Sequence, residues 1–232
     1  MVTDADCLTP AGDWRQGAAA VAVLSFDVDT EVPILAGGDH YAEDLSTMSY
    51  QAYGPRVDIP RILELLAARE IEATFFVSGV KAERWPGTVE EIFQSGHEDA
   101  LHGYSHRVLP GMYESEQRRH LEMGLETLYN LGVEPSRYRA PYWRMKRPTL
   151  DLLARHGIRY DSSLMDDDKP YRLATASGTI AVLPVHWPLD DWSSTPSCPI
   201  QTSASIWRVR ARWSSSGRPS STRCAGLDPC AS

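Results

Sequence analysis

Two short stretches hold residue types that do chemistry together. Residues 26 to 29 read FDVD, and residues 102 to 106 read HGYSH. Asp27 and Asp29 are two positions apart, so a strand that persists through them puts both carboxylates on one face. Carboxylates side by side repel. A cation that neutralises one and leaves the other as a base resolves the conflict, and that is the division of labour a hydrolase needs. His102 and His106 are four positions apart, close enough for one metal if the segment coils as a helical turn or closes as a tight loop. Two neutral imidazoles and a carboxylate form a facial set of ligands with room for water, the usual arrangement of a catalytic zinc site. Each stretch alone also fits a solvated acidic loop or a pair of surface histidines. Their combination on different strand ends favours a single site.

The surrounding pattern supplies elements that could bring them together. VAVLSF, residues 21 to 26, reads as a parallel strand buried on both faces. Asp58 stands as an N-cap before Pro60, and Ile59, Ile62, Leu63, Leu65 and Leu66 place an apolar stripe on a helix to about Glu70. ATFFV, residues 73 to 77, is the second strand. Further helices are expected near 86 to 95, 114 to 131 and 148 to 156, each followed by a stopping glycine. Strands are expected up to His102, in 137 to 140, in 158 to 162 and in 180 to 187. Six strands alternating with helices imply a parallel sheet with helical crossovers, and the length favours a barrel over an open doubly wound sheet. Residues 30 to 57 are too long for an ordinary connection and either wall a binding site or make a passive excursion.

In such a barrel, chemistry gathers where the strands end. The residues expected on that rim are Asp27 and Asp29, His102 and His106, Arg139, Asp161, and His186 with Asp190 and Asp191. Composition narrows the partners. A net charge of −8 argues against nucleic acid, whose phosphates recruit basic surfaces. The apolar runs fall short of the roughly 18 residues of a membrane span, so no membrane partner is expected. MVTDADC at the start lacks the basic and apolar regions of a secretory signal, which implies a cytoplasmic address. The four cysteines form no CxxC pair and suggest neither a zinc knuckle nor a disulfide framework. A homo-oligomer is left open.

FDVD, ATFFV, GHE at 96 to 98, HGYSH, YRAPYW at 138 to 143, YDSS at 160 to 163 and PVHWPLDDW at 184 to 192 resemble, in order, the NodB-type polysaccharide deacetylases. The resemblance is greatest to the cytoplasmic branch that includes the Helicobacter peptidoglycan-deacetylase-like proteins. It implies an α/β fold, a distorted (β/α) barrel over residues 19–201, preceded by an extension at 1–18. It also implies one divalent metal ion, zinc or alternatively Co, Mn or Ni, held by Asp29, His102 and His106. By the same resemblance Asp27 is the base, Arg139 orients it, Asp191 buttresses the arginine, and the backbone N–H of Tyr142 stabilises the oxyanion. Trp143, Tyr142 and His186 are the expected substrate contacts. The implied activity is hydrolysis of a non-peptide amide, N-deacetylation of an acetamido sugar or polysaccharide; the alternatives are opening of a cyclic imide or ureide, and an inactive sugar- or metal-binding relative.

Three departures stand out. No residue after Asp191 matches the family's late-strand acid histidine, and His186 falls on the preceding strand of the pattern. Arg107 follows the second histidine where relatives usually carry an acid. Asp99 occupies a position where an apolar strand residue is expected, so burial there should raise its pKa. From Thr202 to Ser232 the sequence holds eight serines and five arginines with no helix or strand period. The resemblance stops just before it, which suggests an out-of-frame, disordered tail and a barrel incomplete at its C-terminal end.

Overall fold

The computed structural model describes residues 9–10, 15 and 17–191. The expectations for residues 1 to 8 and for the tail from 202 onward lie outside the described residues.

The chain starts with β1 (Thr9–Pro10) and β2 (Ser25–Val28), then α1 (Val32–Ala36) and α2 (Leu45–Gln51). Next come α3 (Ile59–Ala68), β3 (Thr74–Val77), α4 (Gly79–Arg84), α5 (Pro86–Gln94), β4 (Glu98–Leu101) and α6 (Glu114–Asn130). The series ends with β5 (Arg137–Tyr138), α7 (Arg147–Arg155), β6 (Tyr160–Asp161), β7 (Tyr171–Thr175) and β8 (Gly178–Val182). One sheet joins the strands in the order β1-β7-β8-β6-β5-β4-β3-β2. The run from β2 through β6 to β8 is parallel, while β7 lies antiparallel between β8 and β1. This is the α/β architecture the alternation predicts. Among the described residues no pairing closes β2 onto β1.

The two faces of the sheet differ in chemistry. Phe26, Val28, Phe75, Val77, Leu101 and Tyr138 point toward the helices and join Ile62, Leu66, Ile92, Leu125, Leu128 and Leu153 in the core. Their burial, at roughly 1.5–3 kcal/mol per large side chain, is the main force holding helices on the sheet. The opposite face carries Ser25, Asp27, Thr74, Phe76, Glu98 and Ala100, in matching register on three adjacent strands. Strand alternation therefore separates an apolar helix face from a largely polar site face.

Helix stops behave as the sequence predicts, with Gly132 and Gly157 at φ near +79° and +78°, conformations that cost an L side chain strain. Three expectations need correction. The first parallel strand is 25–28 and not 21–26; Val21 and Val23 are 45% and 46% exposed, so the apolar run overstates the strand's start. Asp58 is no N-cap: its own backbone is helical, and a π-helical turn, Gly54–Asp58, runs directly into α3. Residues 30 to 57, expected as an over-long connection, are mostly helical: α1, α2, a 3₁₀ turn at Asp39–Glu43 and the π-helical turn occupy most of them. Asp44, which accepts from the Thr47 amide at 3.0 Å and its hydroxyl at 2.9 Å, starts α2 as a side-chain cap.

Candidate metal centre

The last registered row across the parallel strands runs Val28–Val77–Leu101–Tyr138–Asp161. The residues one step further on are Asp29, Ser78, His102, Arg139 and Ser162, all at most 3% exposed. Alternation turns this next row to the site face, so a ring of polar groups forms where the strands end.

Asp29, His102 and His106 offer one ligand atom each, all within 4.8 Å of one another. Asp29 Oδ1 is 3.4 Å from His102 Nε2, and Asp29 Oδ2 is 3.0 Å from His106 Nε2. The carbonyl of Arg139 lies 2.8 Å from His102 Nδ1, so that nitrogen donates and the Nε2 lone pair is directed at the shared centre. A carbonyl partner on the far nitrogen is the usual way a ligating imidazole is oriented. Burial opposes a charged His106, yet the nearby Asp29 carboxylate, aided by Asp27, leaves its pKa raised. Two buried imidazoles with a carboxylate between them fit a divalent ion.

Asp27 sits one layer deeper. Arg139 Nη1 donates to its Oδ1 at 2.6 Å, and its Oδ2 faces His102 Nε2 at 3.9 Å. The guanidinium also donates from Nη2 to Ser25 Oγ and Ser162 Oγ, each at 3.0 Å, and from Nε to the Ser162 carbonyl at 3.0 Å. The guanidinium sits over the Phe76 ring, with Cζ 4.0 Å from the ring centre. Such a buried arginine fixes the carboxylate it holds. The sequence signals these two serines only weakly: Ser25 directly precedes FDVD, and Ser162 lies inside YDSS.

Backbone geometry at the rim is unusual. Thr30, His106, Tyr142 and Trp143 all have φ between +48° and +57°. Non-glycine residues there are strained by about 1–2 kcal/mol each, and such strain gathers at functional sites. Gly103, at φ +68°, lets HGYSH close as a tight loop, and a Cβ there would press on Pro141 Cγ at 3.3 Å. The loop is clamped from behind. Gly79 and Val80 donate their amides to the Gly103 and Tyr104 carbonyls, at 3.0 and 2.9 Å. A Cβ on Gly124 of α6 would lie 2.8 Å from Leu101 Cδ1 and 3.2 Å from the Gly103 carbonyl oxygen, so α6 packs closely behind the loop.

The remaining predicted residues are placed as follows. The Tyr142 ring stands edge-on to His106 at 4.5 Å, in the turn Pro141–Trp143. Trp143 is buried, its ring 5.6 Å from the Arg139 guanidinium and 4.9 Å from Trp187. Asp190 is buried and Asp191, half-buried, is the last described residue. His186 is half-buried, and among the described residues no contact joins it to the ligand set. Asp161 does not join the rim. It lies on the helix face, where Ser163 donates to it from both its amide and its hydroxyl, and burial pushes its pKa up to about 7.

Comparison with known proteins identifies the family of this fold. A family model for polysaccharide deacetylases matches residues 52–160. A Mycobacterium smegmatis protein assigned to the polysaccharide deacetylases superposes with a TM-score of 0.79 at 43% identity, over 86% of this chain and 71% of that one. The chain belongs to the polysaccharide deacetylase family, whose fold is a distorted barrel. Over 137 residues it is 34% identical to a peptidoglycan deacetylase of Helicobacter pylori, covering 58% of this chain and 46% of the relative. Puue Allantoinase superposes with a TM-score of 0.62 at 27% identity, over 73% and 62% of the two chains. The chain spans about half the length of the curated relatives it matches. Among the described residues no helix is long and apolar enough to cross a membrane.

Proposed function

We propose that this chain is a metal-dependent amide hydrolase that removes acetyl groups from amino sugars within an oligosaccharide or polysaccharide. The supporting observation is the buried set Asp29, His102 and His106 beside a second carboxylate, Asp27, held by Arg139. Asp29, His102 and His106 would hold a divalent ion, zinc in this reading, which would supply Lewis acidity for an acyl carbonyl and for water near neutral pH.

The chain's own residues do the rest. Asp27 takes the proton from the attacking water, and its position is set by Arg139, with Asp191 as the arginine's buttress. The Tyr142 amide donates to the developing oxyanion; one such donor is typically worth about 10²–10³ in rate. Its neighbour Trp143 N already donates to the Ala140 carbonyl at 2.8 Å, so the turn that presents it is fixed. Tyr142, Trp143 and His186 face the substrate in this reading. The departing amine also needs a proton. Among the described residues no histidine takes the family's late-strand place. Residues 19–201 form the catalytic unit, and the resemblance to the Helicobacter branch supports the cytoplasm as its setting.

The similarity to an allantoinase favours one second reading, the opening of a cyclic ureide or imide by the same water and base. Incubating the metal-loaded full chain with an N-acetylglucosamine oligosaccharide, allantoin and succinimide separates the two. Acetate release from the oligosaccharide is expected. Turnover of a cyclic substrate alone would replace the first reading with the second, and metal binding with no turnover of any would leave a binding protein.

A further inference from the structure

Among the described residues, buried polar atoms without a hydrogen-bond partner fall in three places. His97 and Asp99 Oδ1 lie toward the start of β4, away from the metal centre. Ser78 Oγ, Lys81 Nζ and His106 Nδ1 lie at the metal centre or on α4, and both amide atoms of Gln51 lie at the end of α2. Native proteins rarely leave such groups unmatched, and clusters of them mark a place where another molecule supplies the partner.

Ser78, in extended backbone just before α4, and Lys81, in the helix's first turn, are three residues apart and both 0% exposed. Ser78 occupies the helix's N-cap position, yet its hydroxyl makes no capping bond. It belongs to the ring of strand-end residues, between Asp29 and His102. Lys81 Nζ hangs 4.8 Å from the Trp85 ring centre. The acid nearest in the fold is already committed: Glu31 Oε1 accepts from Arg84 Nε at 2.6 Å and Trp85 Nε1 at 2.8 Å, and its Oε2 from Thr30. Lys81 feels the fields of Glu31 and Asp29 without a bond to either, and burial still brings its pKa down to about 7. Arg56, 5.5 Å from the same Trp85 ring, ties the segment that carries Gln51 to this knot.

A methionine would pack in that space without a desolvation cost, so an ammonium with three idle donors calls for an acceptor. We propose that Lys81 and Ser78 form a carboxylate subsite beside the metal centre, entered from the side of Ser78. This rests on the amide-hydrolase reading and deepens it. The carboxylate is either the acid released by hydrolysis or one carried on the acyl half of the substrate.

Calorimetric titration of the full chain, stripped of metal with a chelator so that no ion competes for the anion, tests the subsite. The probes are sodium acetate, succinamate as an amide bearing a carboxylate, and neutral acetamide. Wild type should bind one carboxylate per chain. Lys81→Met should weaken it by about tenfold or more, as the loss of a charge-assisted bond does, and Ser78→Ala by several-fold. Acetamide should not distinguish the three proteins. Comparable affinities for acetate and succinamate assign the product, and a preference of about tenfold for succinamate assigns the acyl half. If Lys81→Met does not fold, as judged by circular dichroism, Ser78→Ala decides. No carboxylate binding by wild type at millimolar concentration, or equal binding by wild type and the folded variants, overturns the subsite. Acetate release by metal-loaded protein is scored separately, so failure of the hydrolase reading is not confused with failure of the subsite.

Discussion

The site face carries polar clusters at both ends, and they are built oppositely. At the start of the strands Glu98 Oε2 accepts from Thr74 Oγ1 and the Tyr160 hydroxyl, both at 2.6 Å, while Oε1 pairs with Arg137 Nε at 2.7 Å. Both carboxylate oxygens are matched by the protein. At the ends of the strands Asp29 faces two imidazoles within 3.4 Å, His106 Nδ1 and Ser78 Oγ have no partner, and four non-glycine residues adopt left-handed backbone. Residue types alone do not tell the clusters apart, since each joins acids, an arginine and hydroxyls. Completeness does: a cluster that closes on itself holds strands together, and one that leaves aligned groups unmatched waits for a ligand.

The sharpest way to break that contrast is to remove the ligands. Replacing Asp29, His102 and His106 together with alanine should abolish stoichiometric metal, measured by elemental analysis. The loss should exceed the roughly 10–100-fold that an outer partner contributes. Metal that survives at full stoichiometry would make the upper cluster no different from the lower one. Arg139→Met comes next. It strands Asp27 in a site where both partners are almost fully buried, and about 3–5 kcal/mol should be lost in urea unfolding. Arg137→Met, at a pair about one-third exposed, should cost under about 1 kcal/mol.

Asp27→Asn divides base from ligand. It should retain the metal and lower kcat by about 10²–10⁴. Equal loss of metal would place Asp27 among the ligands. Tyr160→Phe supplies the counterpart at the lower end, removing one bond to Glu98 for about 1.5–3 kcal/mol with metal content and kcat unchanged.

The smallest effect concerns Asp99, opposite Phe75 in the sheet register, where burial, only partly relieved by Arg137, raises its pKa from 3.8 to about 6. A raised carboxylate pKa means that the folded protein holds the proton more tightly than the unfolded chain. The cost is therefore absent below about pH 4, grows between pH 4 and 6, and is complete above. Asp99→Val should raise stability by about 1 kcal/mol at pH 7, discounted for the residue's partial exposure, and by nothing at pH 3.5. A gain that does not change with pH would mean the effect is packing alone.

FDVD and HGYSH could be read as ligand stretches because the strand period and the four-residue spacing act locally. The helices, their glycine stops and the parallel class were legible for the same reason, since each depends on residues within a turn or two of one another. What the sequence could not give was register. Ser25 and Ser162 become the arginine's partners only because one row of pairing carries across five strands, and Asp161 is turned to the helix face by the same alternation that turns Ser162 toward Arg139. The close approach of Gly79 and Gly124 behind the loop, and the burial of Lys81 beside a Glu31 already taken by Arg84 and Trp85, are likewise decided between elements far apart in the chain. Spacing determines what one segment can offer. Which offers meet, and which are left unmatched, depends on long-range packing that no local pattern encodes.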